Sequence, residues 1–271
     1  MHKIPIYILA LATLTSLLVA QTPPTAGAKP LPPQSTAVKD VLVPVPSEIF
    51  NTLDKFAYSN WRAVQRPELA QWTPHGDQTE IALLLGVVIA EGFIAVEAED
   101  AAEVKSVGRA VLTLAQGLGV ERAALRRSRS IVEHAEKGDW PAVRKEWDGV
   151  LPDVRQGMNE LKSEQLAQLV SLGGWLRGTE ALTALVLQNY SHEDADLLRQ
   201  PALLDYFENR LAGMSGDIRI NPITVRMREG IRKIRLLLAS DDAQISQKKV
   251  KEIATVSEGL LKGLSPKGRS G

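Results

Sequence analysis

The chain has 271 residues, with 32 Lys and Arg against 32 Asp and Glu, and no cysteine. Balanced charge supplies no electrostatic footprint for nucleic acid. The missing thiols exclude disulfide staples, a lipidated amino-terminal cysteine, covalently attached haem and thiolate metal sites, so stability has to come from packing.

Ile4 to Val19 is an uncharged run of sixteen residues behind His2 and Lys3. A basic start, an apolar centre and a small-residue end describe a secretory signal peptide, and the run is short for a bilayer core of about 30 Å. Cleavage after Ala20 fits, and Ala26-Gly27-Ala28 offers a second position after Ala28. The expected address is outside the cytoplasm, and a large exported chain without cysteine suits a bacterial periplasm. Residues 21–46 read as a proline-rich linker: Pro23, Pro24, Pro30, Pro32, Pro33, Pro44 and Pro46 are seven of the fifteen prolines. Such density favours extended polyproline conformations. Val41-Leu42-Val43 is an apolar cluster within it that can also lie on the domain surface.

From Ser47 onward the apolar spacing is helical. Ile49, Phe50, Leu53, Phe56, Ala57, Trp61 and Val64 form one stripe, predicting a first helix capped by Ser47 and ended by Pro67. Asp77 with Glu80 predicts the start of a second, very apolar helix reaching Ala98, and Asp100 with Glu103 the start of a third, stopped by Gly117 and Gly119. A fourth spans Glu121 to Lys137. Gly138-Asp139 turns the chain into a fifth beginning at Trp140-Pro141, which Pro152 is expected to break. A long sixth runs from Ser163 to Tyr190, Pro201 kinks or divides a seventh, Asn221-Pro222 opens an eighth that ends near Ala239, and the last covers Asp242 to Leu264.

Two charges stand out because they interrupt apolar helices. Glu91 is alone within Ile81 to Val96, and Arg177 with Glu180 interrupts the leucine-rich sixth helix. Ala82, Gly86 and Ala90 form a small-residue row, as do Gly174 and Gly178, so the two helices can approach closely and bring Glu91 to Arg177, with Glu180 three residues on as a competing partner. A buried pair that fixes register is the plain reading; a polar centre lining a pocket is the functional one.

The histidines point to no metal. His75 sits in a turn, His134 on a polar helix, and His192 among Ser191, Glu193, Asp194 and Asp196, where acids in a first turn serve helix capping and a cation site is the alternative. No metal-binding, phosphate-cradling or serine-nucleophile motif is present, and no cofactor is implied. Charge is uneven along the chain: residues 76–103 hold seven acids and no Lys or Arg, whereas residues 219–271 hold twelve bases and five acids. On the eighth predicted helix Ile223, Met227, Ile231, Ile234 and Leu238 share a face flanked by Arg228, Arg232 and Arg235. That basic surface suits an anionic membrane or an acidic partner; the plain reading is a solvated face or an intramolecular complement to the protein's own acidic segment.

The expected organisation is a signal peptide (1–20), a linker (21–46), an all-α domain (47–264) and a flexible tail (265–271). The domain is an irregular multi-helix bundle or a stack of helical hairpins, with about nine helices. The expected role is that of an exported, non-catalytic binding or scaffolding protein. Its partner would be a protein or an envelope surface, not nucleic acid, and its mature chain would hold no transmembrane helix. The alternatives are an enzyme built on Glu91, Arg177 and Glu180, and a carrier holding an apolar ligand between helices.

Overall fold

The computed structural model describes residues 36–38, 41–43, 54–56, 59–72, 76–239 and 244–265. The signal peptide, most of the linker, Ser47 to Leu53, His75 and nearly all of the tail lie outside the described residues.

The domain is all-α. Its described helices are α1 (Gln78–Glu97), α2 (Ala101–Gly117), α3 (Glu121–Lys137), α4 (Trp140–Asp148), α5 (Val150–Glu160), α6 (Glu164–Gln188), α7 (His192–Asp196), α8 (Pro201–Ala212), α9 (Gly216–Ile220), α10 (Pro222–Leu238) and α11 (Gln247–Lys262). Nine of these are nine residues or longer, and α7 and α9 are five-residue turns. The described sheet is a single antiparallel pair, β1 (Thr36–Val38) and β2 (Val41–Val43), in the register Thr36↔Val43, Ala37↔Leu42 and Val38↔Val41. The Val41-Leu42-Val43 cluster is therefore a strand, and it lies alongside α8.

Helix starts follow the capping chemistry. Asp77 accepts from Glu80 N–H at 3.1 Å, Asp100 from Glu103 N–H at 3.1 Å and Asn221 from Ile223 N–H at 3.0 Å. Each bond satisfies a donor that a helix leaves free in its first turn. Gly138, at φ 70°, ends α3 in the left-handed region, and Asp139 then caps α4 by accepting from Ala142 N–H. Pro152 does not break a helix. The break falls at Gly149, and Pro152 sits in the first turn of α5, where its missing N–H costs nothing.

The predicted first helix is replaced, over the described residues, by three 3₁₀ turns, Asp54–Phe56, Trp61–Val64 and Pro67–Gln71. Its apolar stripe is still buried at Phe56, Trp61 and Val64. The change is one of hydrogen-bond partners. Backbone groups that a helix would pair internally are taken by distant side chains: Gln188 accepts from Asn60 N–H and donates to Asn60 C=O, Glu91 accepts from Arg66 N–H, and Arg177 donates to Val64 C=O. Buried backbone polar groups need partners, and side chains supply them here.

Helices α1 and α6 form the centre and share the most extensive contact in the fold. α1 is apolar on all sides because α6, α2, α4 and two of the 3₁₀ turns enclose it. The crossing is made of backbone: a Cβ on Gly86 would lie 1.9 Å from Val170 O, and one on Gly173 2.0 Å from Leu83 O. Only hydrogen fits at either position. Gly178, expected in the α6 row, has open space beside its Cα instead. On another side of α1, Trp147 lays its indole where a Gly92 side chain would be and donates Nε1–H to Ile89 C=O at 3.1 Å.

Candidate functional site

Glu91 reaches the interior from α1, and Arg177 and Glu180 reach it from α6, one turn apart. Both Glu91 and Arg177 have 0% side-chain exposure, and Glu180 has 6%. Arg177 Nε and Nη2 lie 2.8 and 2.7 Å from the same carboxylate oxygen, Oε2 of Glu91. Its Nη1 donates to Glu180 Oε2, and its Nη2 also donates to Val64 C=O. The two predicted partners of Arg177 are therefore not competitors, because the guanidinium fork holds both.

A fourth member, Arg66, closes the group. Its backbone N–H donates to Glu91 Oε1 at 2.6 Å, and its Nη2 donates to Glu180 Oε1 at 2.8 Å. The cluster then contains two carboxylates and two guanidiniums, and every carboxylate oxygen accepts from a guanidinium or a backbone N–H. Arg66 is the member most open to solvent, with 34% of its side chain exposed. Periodicity did not single out Arg66, which precedes Pro67 at the end of a predicted helix. Charge counting was the available signal, since two buried acids beside one buried base leave a negative charge that the interior does not tolerate unpaired.

Chemically the arrangement is closed on itself: each of its charges is paired within the group. A general acid or base must present a proton or a lone pair to a substrate within hydrogen-bond reach. Here every carboxylate oxygen already accepts a hydrogen bond, and Glu91 and Arg177 have no exposed surface.

Glu103 on α2, whose spacing from Asp100 marks only a helix start in the sequence, feels the charge of Glu91 from this group. Burial pushes its carboxyl above the ordinary range, and the neighbouring charges of Glu91, Asp100 and Glu68 push it the same way. Its Oε1 is buried without a hydrogen-bond partner among the described residues.

The basic surface is partly neutralised at home. Arg232 Nε lies 2.6 Å from Glu208 on α8, and Arg235 lies 3.2 Å from Glu208 and 3.6 Å from Asp205. Arg228 is half-buried, with no hydrogen bond to its Nε among the described residues. The intramolecular complement is thus α8 and not the acidic segment 76–103. The apolar face Ile223, Met227, Ile231, Ile234 and Leu238 is buried in the core, so that face is not free to insert into a membrane, and Leu236 is the large apolar side chain that α10 exposes.

His134 Nδ1 lies 3.1 Å from Asp139, and His192 Nδ1 lies 2.8 Å from the Tyr190 hydroxyl. That hydroxyl donates to Ile245 C=O at 2.6 Å, so its one proton is committed and His192 Nδ1 must be the donor toward it. Among the described residues no group of three His, Cys, Asp or Glu is placed to hold a metal ion. No protein-family model, curated protein or solved structure matches this chain.

Proposed function

We propose that the chain is an exported helical protein that acts by binding or scaffolding and performs no reaction at its buried charges. The observation that carries this reading is the closure of the Glu91, Arg177, Glu180 and Arg66 cluster, in which each carboxylate oxygen is already engaged. A buried, fully paired group of this kind specifies how two helices register. Export to a periplasm rests on the uncharged run Ile4 to Val19 and the absence of cysteine. α1 is long and apolar enough to cross a membrane, but 89% of its most apolar stretch is buried within the protein itself, as befits a core helix. The carrier alternative needs space between α1 and α6, and at Gly86 and Val170 those helices meet backbone to backbone.

The test is genetic replacement in the source organism by Glu91→Leu/Arg177→Met, a variant that keeps the neutral Arg66–Glu180 pair. If this variant folds and restores the wild-type phenotype of a deletion strain, the charges are structural. A variant that folds to wild-type stability yet fails to restore it would make the polar centre functional and overturn this reading.

A further inference from the structure

Away from the buried cluster, a depression of about 350 Å³ opens between the first 3₁₀ turns and the end of α6. Its floor is apolar, made by Phe56 and Leu185, both buried. Its rim is polar and unusually well fixed for a surface feature. The Gln188 amide grips the Asn60 backbone on both sides, at 3.2 Å from its N–H and 3.3 Å from its C=O, while the Asn60 side chain accepts from Ala63 N–H. Asn189 and Ser59 add an amide and a hydroxyl that have no side-chain hydrogen bond among the described residues.

Two opposite charges meet the same depression from different elements. Lys55 comes from the 54–56 turn and has no carboxylate partner among the described residues. Asp194 comes from α7. Its Oδ2 accepts from Ser191 Oγ and its backbone N–H donates to the same oxygen, which fixes the side chain and leaves Oδ1 without a partner among the described residues. An apolar floor, a fixed rim of amides and a few placed polar groups are the makings of a small-molecule site.

We propose that this depression binds a small zwitterion of amino-acid or dipeptide size, with Lys55 receiving its carboxylate and Asp194 its ammonium group. The paired charges select for a ligand that carries both signs, because a ligand with one sign leaves the opposite site charge unmatched. The rim amides bond the remaining polar atoms. Occupancy is weak and exchanging, since both charges stand in contact with solvent. This inference is independent of the closed cluster: a dead pocket would leave the structural reading of Glu91 and Arg177 intact.

The experiment is a titration of the ¹⁵N-labelled mature protein with L-alanine and L-alanyl-L-alanine, reading the side-chain amides of Asn60, Gln188 and Asn189 and the backbone amide of Asp194. Acetate and methylammonium serve as single-charge controls at matched ionic strength. The expected result is a saturable shift confined to these residues, with a millimolar-range Kd and a response at least about fivefold weaker for either control. Lys55→Met and Asp194→Asn should each weaken the zwitterion by about fivefold while the helical spectrum stays unchanged. The proposal is overturned by shifts that do not saturate by about 20 mM, by equal response to the controls, or by variants that bind as wild type.

Discussion

Arg177 and Glu91, on the two central helices, are joined by two guanidinium nitrogens, at 2.8 and 2.7 Å, directed at one carboxylate oxygen. Neither side chain touches solvent, so the energy of this contact is set by what remains when one partner is removed. Glu91→Leu leaves Arg177 and Arg66 facing Glu180 alone, and Arg177→Met leaves Glu91 with only a backbone donor. Each single change should cost about 3 to 5 kcal/mol of folding stability. The double change leaves a neutral Arg66–Glu180 pair and should cost much less than the sum. Denaturant unfolding of the three variants measures the coupling, and additive losses would reject the pair as an energetic unit.

The glycine contrast is equally direct. Gly86→Ala forces a methyl into the carbonyl of Val170, an atom of helical backbone that cannot rotate away, and the loss should be about 3 kcal/mol or more. Gly178→Ala, in the same pair of helices but with open space around the new Cβ, should be neutral or stabilise by up to about 1 kcal/mol. Thermal unfolding that ranked the two the other way would contradict the observed crossing.

Glu103 supplies a pH dependence. Its folded carboxyl is raised, first by burial and then by Glu91, Asp100 and Glu68, so folding favours its neutral form. That contribution is full below the unfolded carboxylate range and is lost as pH rises through the folded value. Glu103→Gln, which keeps the shape without the charge, should therefore be more stable than wild type at neutral pH, with the advantage shrinking toward acid. Unfolding midpoints of both proteins across the acidic to neutral range would decide it, and equal stability at neutral pH would count against the buried, unpartnered Oε1.

Tyr190 ties the end of α6 to the segment that leads into α11. Tyr190→Phe removes the donor to Ile245 C=O and the acceptor for His192, and should cost about 1 kcal/mol. Hydrogen exchange should show faster opening at residues 244–246, with the α1 core unchanged. Uniform loss of protection would mean that the hydroxyl does not act locally.

The mature protein should begin after Ala20 or after Ala28. Amino-terminal sequencing of the native protein checks this, and an intact Met1 in a cytoplasmic fraction would refute it.

The helices were legible where their ends carry local chemistry. Asp77, Asp100, Gly138 and Asn221 mark boundaries because a cap or a left-handed glycine acts on backbone only a few residues away. Glu91 and Arg177 were legible too, as single charges on apolar helices whose small residues permit close approach. The first predicted helix was not, since its apolar stripe is satisfied by any conformation that buries Phe56, Trp61 and Val64. What decided in favour of 3₁₀ turns was the arrival of Gln188, Glu91 and Arg177 at backbone groups 25 to 128 residues away along the chain. The same distance hid Arg66 as the fourth charge, gave the close approach to Gly173 and not Gly178, and paired Arg232 with Glu208. By itself the sequence determined the helical class, most helix limits and the need for a buried ion pair, because those follow from interactions within a turn or two. Only tertiary structure decided which charges meet and which backbone stays out of an α-helix, because those depend on groups that are neighbours in space alone.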